Sequence, residues 1–229
     1  MTGIVITMYD ETDIVSQTIN NCKGPDVCFV VVHSYNNVEC EDLRFIKENS
    51  IYIRLPNLGG TMSVDEIGSA SICRNYNAGF KRLYEENIAF DAVIGMTGDT
   101  LIKDLNRILA IMDDVHFGYV LQAKGQPFYD RNDRPGIDKP SRMQTDDVND
   151  IMPQFFVFAG GFAWLYDLFT QIENVNPYTS EENLGIEIVR AVGGDFKKLI
   201  KRIHTNPDVY DYHDGVEFQL KGLGHTRKL

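Results

Sequence analysis

Phe90-Asp91-Ala92-Val93-Ile94-Gly95-Met96, followed by Thr97-Gly98-Asp99-Thr100, is the stretch on which the fold turns. Apart from Asp91 the first seven residues are apolar or glycine, and a polar turn stops them. A short, near-continuous apolar run bounded by turn signals predicts a strand buried on both faces. Such a strand needs helices above and below it.

The flanking sequence supplies them. Upstream, Ile4–Met8 predicts a strand, Tyr9-Asp10-Glu11-Thr12 a turn, and the next residues a helix to about Asn21, with Thr12 or Asp13 as its cap. Cys28–Val32 repeats the buried-strand pattern, Glu41–Asn49 reads as a helix, and Ile51–Leu55 reads as a third strand before Pro56-Asn57-Leu58-Gly59-Gly60. The periodicity of Ile67–Glu86 predicts a helix that turns Ile72, Tyr76, Phe80 and Leu83 inward. Downstream, Leu101–Met112 reads as another helix with an apolar face. Strands alternating with helices imply an α/β protein with a mixed, mostly parallel sheet covered on both sides. In such sheets ligands bind beyond the carboxyl ends of the strands. The polar loops after Met8, Val32, Leu55 and Met96 all belong to that edge.

Composition narrows the class. The chain has 229 residues, 43% hydrophobic and 24% charged, which suits one globular domain and excludes a disordered chain or a collagen. Its net charge of −11 argues against a nucleic-acid binder, which needs a basic face to displace counterions from phosphates. Cys22, Cys28, Cys40 and Cys73 show no Cys-x-x-Cys spacing, as expected of reduced thiols in a cytoplasmic protein. Ile4-Val5-Ile6 is too short for a signal core. Phe155–Phe169 is broken by Gly160, Gly161 and Asp167 and is too short to span a bilayer.

The second half changes style. Gly125–Gln154 is long and polar, and reads either as a lid or binding loop or as a surface insertion. Phe155–Phe162 returns to the core, Leu165–Ile172 and Glu182–Val192 read as helices, and Lys197, Lys198, Lys201 and Arg202 form a basic cluster on a short helix. That cluster is either a solvated face or a peripheral membrane contact near a lipid-linked acceptor. Asp99, on a turn after a buried strand and before a helix, either binds a divalent cation bridging phosphate oxygens or caps the helix.

The ordered series of segments over roughly residues 3–195 resembles the nucleotide-sugar glycosyltransferases of the GT-A fold, closest to the family 2 type. Residues 90–102 resemble the strand that ends in the Asp-x-Asp metal motif, with Thr97 in place of the first Asp and Asp99 as the second. Ile4–Tyr9 resembles the opening strand that cradles the nucleotide base. Asn57-Leu58-Gly59-Gly60 and later Asn77-Ala78-Gly79, the second preceded by Arg74 three positions earlier, resemble the stretch leading into the nucleotide-contacting helix. Phe158-Ala159-Gly160-Gly161-Phe162 resembles the floor of the acceptor site, and Ser180-Glu181-Glu182 the acidic pair opening the helix of the catalytic base. Where the family commonly carries an acid that reads uracil, this chain has His33.

The resemblance implies a single Rossmann-like GT-A domain, with a donor half at 1–112 and an acceptor half at 113–229. It implies a hexosyltransferase moving a sugar from a nucleotide-diphosphate donor to a glycan, lipid-linked or small-molecule acceptor, with Mn2+ or Mg2+ and with inversion. Tyr9, Asp10, Asn57, Arg74, Asn77, Gly98 and Asp99 would bind the donor, and Asp99 and His213 the metal. Gly160, Gly161, Phe162 and Trp164 would meet the acceptor, although Phe162 and Trp164 equally suit the core. Inversion needs a carboxylate to take the proton of the attacking hydroxyl. Glu182 would do so, with Glu181 as its rival, and either would also suit the first turn of a helix. Thr97 and His33 favour an alternative, a non-catalytic module that binds a nucleotide or glycan.

Overall fold

The computed structural model describes residues 1–9, 11–34, 39–56, 64–98, 100–111, 117–121, 151–159, 200–202 and 210–211. For 64–73, 111 and everything from 117 onward the description is of the backbone alone.

Four strands run parallel: β1 (Thr2–Met8), β2 (Val27–His33), β3 (Ile51–Arg54) and β4 (Ala92–Thr97). Helices α1 (Thr12–Cys22), α2 (Glu41–Asn49) and α3 (Val64–Glu85) connect them. After β4 come β5 (Leu101–Ile102), α4 (Leu105–Ile111), β6 (Phe117–Leu121), β7 (Ile151–Ala159), β8 (Ile200–Arg202) and β9 (Tyr210–Asp211). The main sheet has the order β3-β2-β1-β4-β7-β6-β8, and β5 pairs with β9 apart from it. β7 is antiparallel to both β4 and β6, while β8 is parallel to β6. The sheet is therefore mixed and mostly parallel, as the sequence predicts.

Every residue of β1 is buried, because helices cover both of its faces. On one face Ile4, Ile6 and Met8 join Phe29, Val31, Ile94 and Met96 under Val15 and Ile19 of α1, Leu43 and Ile46 of α2, and Leu105 and Ile108 of α4. On the other face α3 lies against β1 and β2, burying Tyr76, Phe80 and Leu83 completely. The approach is close: a Cβ on Gly79 would stand 2.3 Å from Val5 Cγ1. Ile72, expected beside these residues, has a side chain outside the described ones.

Several sequence expectations need correction. The residue preceding α1 is Glu11, not Thr12 or Asp13, and its carboxylate reaches back to the Tyr9 N–H instead of capping the helix. Leu101 and Ile102 form a strand, not the first turn of a helix. The Ile102 N–H donates to Thr18 Oγ1 and the Asn21 amide donates to the Ile102 carbonyl, so α1 takes the backbone groups that a helix would use. α4 starts only after Asp104, whose carboxylate accepts from the Arg107 N–H. Residues 151–154, assigned to the polar loop, open β7. The β6–β7 register shifts there, and Pro153, which has no N–H for a ladder, falls in the irregularity. Lys201 and Arg202 lie on β8, at the end of the sheet order, not on a helix. No helix among the described residues is long and apolar enough to cross a membrane.

Candidate functional site

The chain leaves β1 toward β2 and β3, then returns to β4 on the other side of β1. The connections diverge between β1 and β4, and at such a point a crevice opens beyond the carboxyl ends of the strands. Its edge is tied together by backbone. Gly98 N–H donates to the Thr7 carbonyl at 2.8 Å, Ser34 N–H to Met8 at 3.0 Å, and Leu55 N–H to His33 at 2.9 Å.

Tyr9 stands at the mouth of the crevice and is 43% exposed. Its N–H donates to Glu11 Oε2 at 2.8 Å. The same carboxylate lies over Gly98, where a Cβ would come within 2.7 Å of Oε2 and 3.3 Å of the Met8 Cα. Gly98 is thus required sterically: it lets the ends of β1 and β4 and the start of α1 meet.

His33 is buried, and both of its ring nitrogens are engaged. Nε2 lies 2.9 Å from the Tyr9 carbonyl, which can only accept, so Nε2 carries the proton. Nδ1 then accepts from the Tyr52 hydroxyl of β3. Burial pushes the Tyr52 phenol above its ordinary value, with Lys47 and Arg54 pulling it down and Glu39 adding to the rise. This histidine is committed to holding the backbone of Tyr9.

α3 contributes from the opposite face. Arg74 Nη2 donates to the Pro56 carbonyl at 2.7 Å, securing the exit from β3. Asn77 is half-buried. Leu83 sits against Gly3, and Gly79 against Val5. One more step of four helical residues against two strand residues brings Asn75 to the level of Thr7, at the crevice edge. Asn75 is buried and its Oδ1 has no hydrogen-bond partner among the described residues, as is true of Thr100 Oγ1. Orphaned buried polar atoms are rare in native folds, and these two lie on elements that border the crevice.

Beyond Gly98 the chain runs back along α1, where it meets β9. β9 pairs Asp211 with Leu101 and Tyr210 with Ile102, only two residues past Asp99. Of the residues singled out by sequence, Tyr9, Arg74 and Gly98 are brought to the crevice edge, and Asn77 lies on α3. Asp10, Asn57, Asp99, Gly160, Gly161, Phe162, Trp164, Glu181, Glu182 and His213 lie outside the described residues, as does 125–150. β7 ends with Ala159 beside Ala92, at the edge opposite Thr97. Among the described residues no group of three or more His, Cys, Asp or Glu could hold a metal ion. Glu11, Tyr52 and Asn75 escaped the sequence reading. Only Glu11 left a trace there, as an acid one residue before the helix.

No family model and no curated protein sequence matches the chain. Solved structures do. Glucosyl-3-phosphoglycerate synthase from Mycobacterium tuberculosis superposes with a TM-score of 0.50 at 10% identity, covering 88% of this chain and 67% of that one. The glycosyltransferase GlyE of Streptococcus pneumoniae gives 0.48 at 7% identity over 97% of this chain and 49% of its own. The galactosyltransferase LgtC gives 0.45 at 13% identity, over 87% and 72%. The chain spans 38% of the bifunctional glycosyltransferase WbbM and about half of GlyE. The likeness to the synthase shows the fold, which is the GT-A glycosyltransferase arrangement.

Proposed function

We propose that the chain is a glycosyltransferase that moves a sugar from a nucleotide-diphosphate donor to an acceptor hydroxyl, with inversion and with Mn2+ or Mg2+. The observation that carries this reading is the crevice between β1 and β4. There the turn at Gly98 is tied to the end of β1, next to Tyr9, and in this reading the α3 residues Arg74 and Asn77 add to the donor side. Tyr9 presents an exposed ring suited to a base, and Asp10, Asn57, Arg74 and Asn77 line the donor pocket in this reading.

Asp99 would hold the cation, and the pairing of Leu101 with Asp211 supports His213 as its companion. That ladder lies two residues after Asp99 and two before His213. When bound there, such a cation would supply positive charge to the departing diphosphate. Glu182, or Glu181 beside it, would accept the acceptor's hydroxyl proton as the oxygen attacks the anomeric carbon. The bond from that carbon to the diphosphate oxygen breaks with its electron pair leaving on the nucleoside diphosphate.

The synthase to which the chain is similar is a complex with Mn2+, UDP and phosphoglyceric acid, which recommends UDP-glucose among the first probes. The test is release of free nucleoside diphosphate across a panel of nucleotide sugars with Mn2+. Glu182→Gln should lower single-turnover transfer by roughly 10²-fold with donor affinity little changed. Turnover within a few-fold of wild type would remove Glu182 from the role. Thr97, in place of a carboxylate, favours a second reading: a nucleotide- or glycan-binding module without catalysis. Donor binding with no turnover of any donor would establish it.

A further inference from the structure

The backbone of Tyr9 is gripped on both sides of its Cα. Its N–H is taken by Glu11 Oε2 at 2.8 Å and its carbonyl by His33 Nε2 at 2.9 Å. Glu11 comes from the start of α1, His33 from the end of β2, and the Tyr52 hydroxyl of β3 fixes the imidazole from behind. A buried histidine with a carbonyl on one nitrogen and a hydroxyl on the other has only one neutral tautomer that satisfies both. Three elements are thus spent on the backbone of one residue that is itself 43% exposed. A stacking face loses less entropy on binding when its backbone is already fixed.

Resting on the donor-binding reading above, we infer that Glu11 and His33 are positioning residues that clamp the Tyr9 backbone, and that Tyr52 holds the His33 ring in place for it. The ring of Tyr9 is thereby a preset face for an aromatic base. Neither Glu11 nor His33 reads the base itself.

The test uses the full chain and three variants: Glu11→Ala, Glu11→Gln and Tyr52→Phe. Without any ligand, the Tyr9 amide should exchange with solvent about tenfold faster in Glu11→Ala. It should stay near wild type in Glu11→Gln, whose side-chain carbonyl can still accept. Nitrogen NMR of His33 should show the Nε2-protonated tautomer in wild type, and UDP should bind several-fold more weakly to Tyr52→Phe, whose imidazole is no longer held from behind. With Mn2+ present, UDP and GDP should each bind about tenfold more weakly to Glu11→Ala, while inorganic pyrophosphate, which has no base, should bind unchanged.

Three results would overturn the clamp: unchanged Tyr9 exchange in Glu11→Ala, an equal loss in Glu11→Gln, or parallel weakening of pyrophosphate and nucleotide. His33 protonated on Nδ1 in wild type would remove His33 from it, and UDP binding unchanged in Tyr52→Phe would remove Tyr52. If wild type binds neither nucleotide, the donor-binding reading fails, and exchange and tautomer still decide whether the peptide is clamped.

Discussion

A Cβ at position 98 would touch a carboxylate and a backbone carbon at once, so Gly98→Ala is an informative change. The Glu11 oxygen at 2.7 Å can rotate away, whereas the Met8 Cα at 3.3 Å cannot. The variant should lose roughly 1–3 kcal/mol. Part of that loss is the displacement of Glu11, so the cost should shrink in a Glu11→Ala background. A double-mutant cycle by urea unfolding should give a coupling of about 0.5 kcal/mol or more. Strict additivity would show that Glu11 and Gly98 do not share the contact. A second residue-scale prediction concerns Cys22. Burial, and secondarily the Asp104 carboxylate, push its thiol from 9.0 up to about 12. The folded state keeps this proton after the unfolded chain has released it. Stability is therefore unaffected below pH 9 and falls between pH 9 and about 12, by at most about 1.4 kcal/mol per pH unit. Cys28 and Tyr52, also raised by burial, add to the same alkaline loss. Unfolding midpoints at pH 8 to 10.5 should fall less steeply for Cys22→Ala, and an identical slope would exonerate the thiol.

At the scale of elements, α3 and β1 meet through the absence of a side chain. Gly79→Ala would set a methyl 2.3 Å from Val5 Cγ1 and 3.2 Å from Val32 Cγ2, with both valines in a filled core. The helix must back away, at a cost of about 1–3 kcal/mol despite the better helix propensity of alanine. Chemical denaturation measures it, and a neutral or stabilising result would mean that α3 rides higher than described. Helices and strands from Thr2 to Thr97 were legible in the sequence because each buries a face whose spacing repeats. The exceptions share one cause. Leu101 and Ile102, with Leu105 and Ile108 behind them, keep helical spacing, yet their backbone partners are Thr18, Asn21, Tyr210 and Asp211. Lys201 and Arg202 form a strand only because β6 accepts them. Partners that distant leave no local pattern. The crevice follows the same rule: Gly98 and Tyr9 announce themselves as turn residues, whereas His33 and Tyr52 acquire their roles from cross-strand register.

For the whole molecule, spatial and sequence order disagree at one place. β7 lies between β4 and β6, although β6 precedes it in the chain. The feature bears on biosynthesis. While the chain emerges from the ribosome, β1 to β4 can assemble as soon as residue 97 is free, but the outer edge of β4 then waits without its neighbour until Ala159 has been made. Through that interval the nascent protein offers a row of unpaired amides beside Val93, Ile94 and Met96, a template for pairing with another copy. Chains ending at Leu121 should therefore associate through that edge, as light scattering would show, and chains extended through β7 should do so less. Equal association of the two would mean that the waiting edge is covered by something else.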